Sequence, residues 1–170
     1  YNQADEVELF LNGKSLGTKR KQGDELHVWW RVIFEPGTLK AVSRKNGQVV
    51  LTSEIKTAGP AASIVLNADR KIIQANNNDL SFVTATIVDV AGNPLPRANN
   101  LIRFTTRGPG SVIATDNGSE TNLQSFQNAD RPAFNGLCLA VVRSNGKPGA
   151  IQLTAQADGL KAASITIETK

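Results

Sequence analysis

Trp29 lies in the stretch ELHVWWRVIF, two residues after His27 and two before Arg31, and His27 is the only histidine in the chain. Strand alternation puts these three side chains on one face and Leu26, Val28, Trp30, Val32 and Phe34 on the other. An exposed indole between an imidazole and a guanidinium could stack on a sugar ring while its neighbours bond the hydroxyls. The same indole could instead cover an interface. Aromatic residues make up only 5% of the chain, too few for a platform of several rings. The interface is therefore the preferred reading of Trp29, His27 and Arg31, with weak glycan contact as the alternative. Trp30, on the apolar side, is expected in a core.

Other chemistry finds less support. A Ser/His/Asp or Cys/His mechanism would need His27, which alternation turns outward. Two carboxyl groups about 5–5.5 Å apart could hydrolyse a glycoside with retention. The 15 acidic residues instead fall in turns and at strand ends, where nothing raises a pKa. Asp116-Asn117-Gly118 with Glu120 could offer oxygens to calcium, but the spacing is not that of an EF-hand and Asp-Asn-Gly is equally a turn. No catalytic residue, metal site or cofactor is assigned. Cys138, the single cysteine, sits in LCLAVV and reads as a small core residue. Lys19-Arg20-Lys21 is the densest basic run in a chain of net charge +4. Such residues fall at hairpin ends, apart from the aromatics, so no nucleic-acid partner is expected. The longest apolar run, Leu137 to Val142, is far short of the roughly 20 residues that cross a membrane as a helix.

The elements that must position these residues are strands. EVELFLNGKSLG reads as a strand, an Asn12-Gly13 turn and a returning strand, since Asn-Gly tolerates the positive φ of a type I′ turn. A second Asn-Gly turn at Asn46-Gly47 joins TLKAVSRK to QVVLTSEI, after a bend at Glu35-Pro36-Gly37. With ELHVWWRVIF counted as a strand, residues 1–57 hold about five, where an immunoglobulin-like sandwich normally needs seven. Residues 58–61 form a short linker. Residues 62–170 then give seven or more strands with frequent turns, including the loop DVAGNPLP, a long polar loop from Asp116 to Asp130, and a final strand with Ala163, Ile165 and Ile167 inward. The expected fold is all-β: two tandem immunoglobulin-like β-sandwiches, the first truncated at its N-terminus. The absence of methionine fits a chain cut from a longer product.

Taken together, ADEVELFLNGKSLG, WRVIFEPGTLKAV and TAGPAASIVLNADR resemble the C-terminal region of bacterial glycoside hydrolase family 2 enzymes, chiefly β-galactosidases of the Bacteroides type. DLSFVTATIVDVAGNPLP, GPGSVIATDNG, RPAFNGLCLAVV and DGLKAASITIE are similar to the last immunoglobulin-like domain of those enzymes. The resemblance implies a catalytic barrel and other domains upstream in the same polypeptide, with an acid/base glutamate directly after an asparagine. This chain contains no Asn-Glu pair, so no catalytic residue carries over. It further implies a periplasmic or secreted parent and a structural or domain-packing role for these modules. A carbohydrate-binding module and an adhesin-type spacer are the rival expectations.

Overall fold

The computed structural model describes residues 4–170, which form strands and no helix. Contacts divide the chain into two compact units, Tyr1–Thr57 and Ala58–Lys170. In the first, β1 (Glu6–Leu11), β2 (Lys14–Arg20), β3 (Thr38–Lys45) and β4 (Gln48–Lys56) make one antiparallel sheet in the order β2-β1-β3-β4. Asn12 and Gly13 (φ 51° and 82°) and Asn46 and Gly47 (φ 50° and 77°) take the backbone angles a type I′ hairpin requires. Asn12 also fastens the next bend: its side-chain amide donates to Pro36 O at 3.1 Å and its Oδ1 accepts from Thr38 N at 2.8 Å. A Cβ at position 37 would strike that amide, and φ there is 138°, so Gly37 is required twice over.

Register gives this sheet two unlike faces. Val7, Leu9 and Leu11 stand opposite Ser43, Ala41 and Leu39, with Leu51 and Ile55 beyond them. The other face carries Glu6, Glu8, Lys40, Arg44 and Glu54, with ion pairs Arg20–Glu6 at 2.8 Å and Arg44–Glu8 at 2.9 Å. Ser15 donates to Glu8, and this bond with the Arg44 guanidinium holds the Glu8 carboxyl below the usual range.

One expected element is missing. Residues 21–37 contain no strand, so the first unit has four strands among its described residues, where five were expected. The alternation of ELHVWWRVIF holds over its middle, where Val28, Trp30 and Val32 are half-buried and His27, Trp29, Arg31 and Ile33 exposed, and fails at its ends, where Leu26 and Phe34 are 80% and 78% exposed. A strand needs a neighbour to take its N–H and C=O groups. Among the described residues no strand pairs with this segment, and local pattern cannot supply one.

The second unit is an immunoglobulin-like sandwich. One sheet has the order β10-β8-β12-β13-β6, built from β6 (Ile72–Ile73), β8 (Leu101–Arg107), β10 (Asp130–Pro132), β12 (Gly149–Gln156) and β13 (Ala163–Thr169). The facing sheet, β5-β7-β11-β9, comprises β5 (Ser63–Ala68), β7 (Leu80–Val88), β9 (Gly110–Asp116) and β11 (Leu137–Ser144). Alternate residues meet between them: Val83, Ala85 and Ile87 of β7, Cys138, Ala140 and Val142 of β11, Ile102 and Phe104 of β8, Ile151 and Leu153 of β12, and Ile167 of β13. Ala163 and Ile165 pack against this core while remaining partly exposed. The described chain is all-β, as the alternation and turn signals lead one to expect.

A β-bulge in β9 sets up the long loop. Val141 opposes Ala114 and Val142 opposes Val112, so Ile113 is the extra residue and the strand's parity changes there. Thr115, rather than Ala114, then lies buried beside Ala140. Its hydroxyl donates to Asn128 O at 2.7 Å and accepts from Arg131 Nε at 3.2 Å. Arg131 is 1% exposed. Its guanidinium also donates to Thr115 O (2.9 Å), Ser125 O (2.7 Å), Gln124 O (3.1 Å) and Asn122 Oδ1 (3.2 Å), and lies 5.7 Å from the Phe126 ring centroid. The loop is wrapped around a buried cation.

Candidate functional site

In the first unit a second β-bulge brings the chemically distinctive residues together. Glu8 pairs with Thr18 while Phe10 pairs with Ser15, so Leu16 and Gly17 together oppose Leu9. Gly17 has φ 96°, the positive angle common at such bulges. Without the extra residue Lys19 would stand opposite Glu6 on the charged face. With it, Lys19 pairs with Val7 and projects on the apolar face.

There the ammonium meets both indoles. Lys19 Nζ lies 5.0 Å from the Trp29 ring centroid and 5.4 Å from that of Trp30, and donates to Trp29 O at 2.7 Å. Each cation–π contact contributes about 0.5–1 kcal/mol at an exposed site and more when desolvated. Trp29 remains 63% exposed. Trp30 is half-buried, and its Nε1 is enclosed without an acceptor among the described residues.

His27 and Arg31 are both exposed. His27 lines an open cavity of about 480 Å³ together with Lys19, Lys21 and the chain from Ala4 to Val7, whereas Trp29 and Arg31 are not part of its lining. The three residues that alternation groups on one face therefore do not line one concave surface here. The sequence pattern places Lys19 only in a basic run at a hairpin end. The signal that could have found it was Gly17, because an isolated glycine inside a strand pattern suggests a bulge and hence a change of face.

Other candidates resolve into local structure. Asp116 Oδ1 accepts from Asn117 N (2.7 Å) and Gly118 N (3.2 Å), the bonds of an Asx turn. Among the described residues no three His, Cys, Asp or Glu side chains gather where a metal ion could sit. Asp89 receives Asn93 Nδ2 (3.0 Å), Gly59 N (2.8 Å), Asn93 N (2.8 Å) and Ala91 N (2.9 Å), and these donors, the Asn93 side chain foremost, lower its pKa to about 2. Asp79 is likewise held below its usual range by Gln74 N and Arg70. Burial pushes the Cys138 thiol up to about 12, which leaves it a core residue with negligible thiolate at neutral pH.

Comparison with known proteins places this geometry. The family described as glycoside hydrolase family 2 C-terminal domain 5 matches residues 64–166. A domain of unknown function (DUF4982) matches residues 1–51. A β-galactosidase of Bacteroides ovatus is 50% identical over 170 residues, all of this chain and 20% of its own length. A glycosyl hydrolase family 2 member from Bacteroides cellulosilyticus is 38% identical with a TM-score of 0.91, covering 98% of this chain and 22% of that one. A β-glycosidase from Bacteroides vulgatus is 30% identical with a TM-score of 0.91, over 97% of this chain and 21% of that one. The chain thus spans about a fifth of the length of these relatives.

Proposed function

The chain belongs to the C-terminal region of glycoside hydrolase family 2, and from that premise we propose that it is a non-catalytic accessory region of a β-galactosidase-like glycosidase, with a structural, domain-packing role. The observation that carries this reading is that residues 64–166 match the family's C-terminal domain 5 and that the chain covers only 20% of the Bacteroides ovatus β-galactosidase. Glu8, Asp79 and Asp89 all shift downward, held as anions by hydrogen-bond donors and cations. A glycosidase's general acid needs the opposite, a carboxyl kept protonated by an apolar setting. Its partners on this reading are the upstream barrel and other domains of the same polypeptide. A periplasmic or secreted location for the parent rests on the family resemblance.

The exposed indole of Trp29 favours a second reading, a sugar-binding surface with His27 and Arg31 beside it. Against it, one ring with an ammonium already at 5.0 Å is a small platform. One experiment addresses both readings. The 170-residue chain is incubated with a nitrophenyl galactoside, and its tryptophan emission is titrated with galactosides and plant polysaccharides alongside Trp29→Ala. No hydrolysis and a flat titration are expected. Hydrolysis by this chain alone would overturn the non-catalytic reading, and a saturable change lost in Trp29→Ala would replace packing with sugar binding.

A further inference from the structure

We propose that Asn46, at the tip of the β3–β4 hairpin, is a site of spontaneous covalent modification: the folded chain singles it out among five Asn-Gly pairs for deamidation. The reaction needs only water. The Gly47 nitrogen attacks Asn46 Cγ, an N–Cγ bond forms, the Cγ–Nδ2 bond breaks, and the proton of the Gly47 N–H ends on the departing ammonia. Water then opens the succinimide, at Cγ to give aspartate or at the Asn46 carbonyl carbon to give isoaspartate. No electrons change hands. Glycine permits the attack because no side chain shields its nitrogen.

The other four pairs are locked. In Asn12-Gly13 the side-chain amide donates to Pro36 O at 3.1 Å and its oxygen accepts from Thr38 N at 2.8 Å. In Asn117-Gly118, Asn117 Nδ2 donates to Pro132 O at 2.8 Å, Oδ1 accepts from Ser119 N at 3.0 Å, and Gly118 N donates to Asp116 Oδ1 at 3.2 Å. In Asn135-Gly136 the nucleophile is held, since Gly136 is buried and its N–H donates to Ala98 O at 3.0 Å. In Asn145-Gly146 both partners are engaged: Gly146 N donates to Ser144 Oγ at 3.1 Å, and Asn145 Oδ1 accepts from Lys147 N at 3.3 Å. Each of these bonds must open before Cγ and the glycine nitrogen can meet.

Asn46-Gly47 carries no such lock. Both residues are exposed, and among the described residues neither the Asn46 side chain nor the Gly47 N–H makes a hydrogen bond. The bond that Asn46 does make, from its backbone N to Asp5 Oδ2 at 2.8 Å, leaves the reacting atoms free. The ladder shifts register between Ser43 and Arg44, and beyond that bulge only the pairs Arg44–Val49 and Lys45–Gln48 close the tip. Either product disturbs the first unit. Aspartate sets a second carboxylate beside that of Asp5, and isoaspartate adds a backbone carbon to a two-residue turn whose length fixes the Lys45–Gln48 register. The strand that loses most is β4, whose nine residues are all exposed and whose only strand neighbour among the described residues is β3.

The test is ageing of the 170-residue chain in mildly alkaline buffer, folded and in concentrated urea, with peptide mass spectrometry following the gain of one mass unit at each Asn-Gly pair. In the folded chain Asn46 is expected to convert roughly 10-fold faster than the other four, the factor that one or two hydrogen bonds still to be opened impose. In urea the five should convert at similar rates. Another pair that keeps pace with Asn46 in the folded chain would overturn the proposal. So would an Asn46 that converts in urea and survives in the folded chain, or a lead that persists undiminished in urea, since folding would then not be its cause. Ser144→Ala frees Gly146 N and should bring Asn145 forward while Asn46 keeps its rate; an unmoved Asn145 would mean that hydrogen bonds are not what protects these pairs. Hydrolysis of glycosides plays no part in the readout, so failure here is distinct from failure of the non-catalytic reading.

Discussion

Asp89 shows how much a single carboxylate can organise. It gathers the turn Asp89–Asn93 and reaches back to Gly59 N, which ties the start of the second unit to the end of β7. All these bonds favour its anion, so its folded pKa falls from 3.8 to about 2. A depressed acid pKa contributes stability that is fully present above the unfolded value and is lost as pH falls through the folded one. The second unit should therefore lose stability between about pH 4 and pH 2. In Asp89→Asn the slope of unfolding free energy against pH should be shallower over that window. Denaturant titrations at a series of pH values check this, and an unchanged slope would mean that Asp89 does not titrate as its contacts imply. Nothing in DVAGNPLP alone foretells a carboxylate with this many donors, because they come from both sides of the turn and from a glycine 30 residues earlier.

At the scale of elements, what could be read from the sequence was whatever is decided locally. The two Asn-Gly hairpins, the bend at Gly37 and the inward residues of β7 and β8 all follow from short-range rules, and each is present. What could not be read depends on a partner elsewhere. The bulges at Leu16–Gly17 and Ile113 reverse which residues face inward, and so bring Lys19 to the indoles and Thr115 to Arg131. Residues 25–34 have the pattern of a strand and lack a neighbour. Arg131 stands opposite Ile102 at a core position, where sequence alone would place an apolar residue. Among the described residues it makes no ion pair; its charge is met by the hydroxyl and carbonyl of Thr115 in β9 and by carbonyls of the loop it holds. Arg131→Ala strips donors from the buried Thr115 carbonyl and from the carbonyls of exposed Gln124 and Ser125, and should cost roughly 2–4 kcal/mol, most of it from the buried group and the lost charged hydrogen bonds. Chemical denaturation measures that loss, and hydrogen exchange of residues 117–129 should rise far more than that of β12. A loop that stays protected in the variant would show that Arg131 is not what orders it.

Over the whole molecule the two units are unequally endowed. The second encloses a continuous core from Ile64 to Ile167, whereas the buried apolar residues of the first among those described are Ala4, Leu9 and Val42. Apolar burial is the main favourable term in folding, so the first unit should open at lower denaturant than the second. Both tryptophans, Trp29 and Trp30, belong to the first unit and neither to the second. Indole emission is thus an optical label confined to one half of the chain, while far-ultraviolet dichroism is dominated by the strands of the other. The two signals should give separate midpoints, emission changing first, and coincident curves would mean that the units unfold as one. A dye-free titration can in this way follow the weaker half of the molecule while the stronger half stays silent.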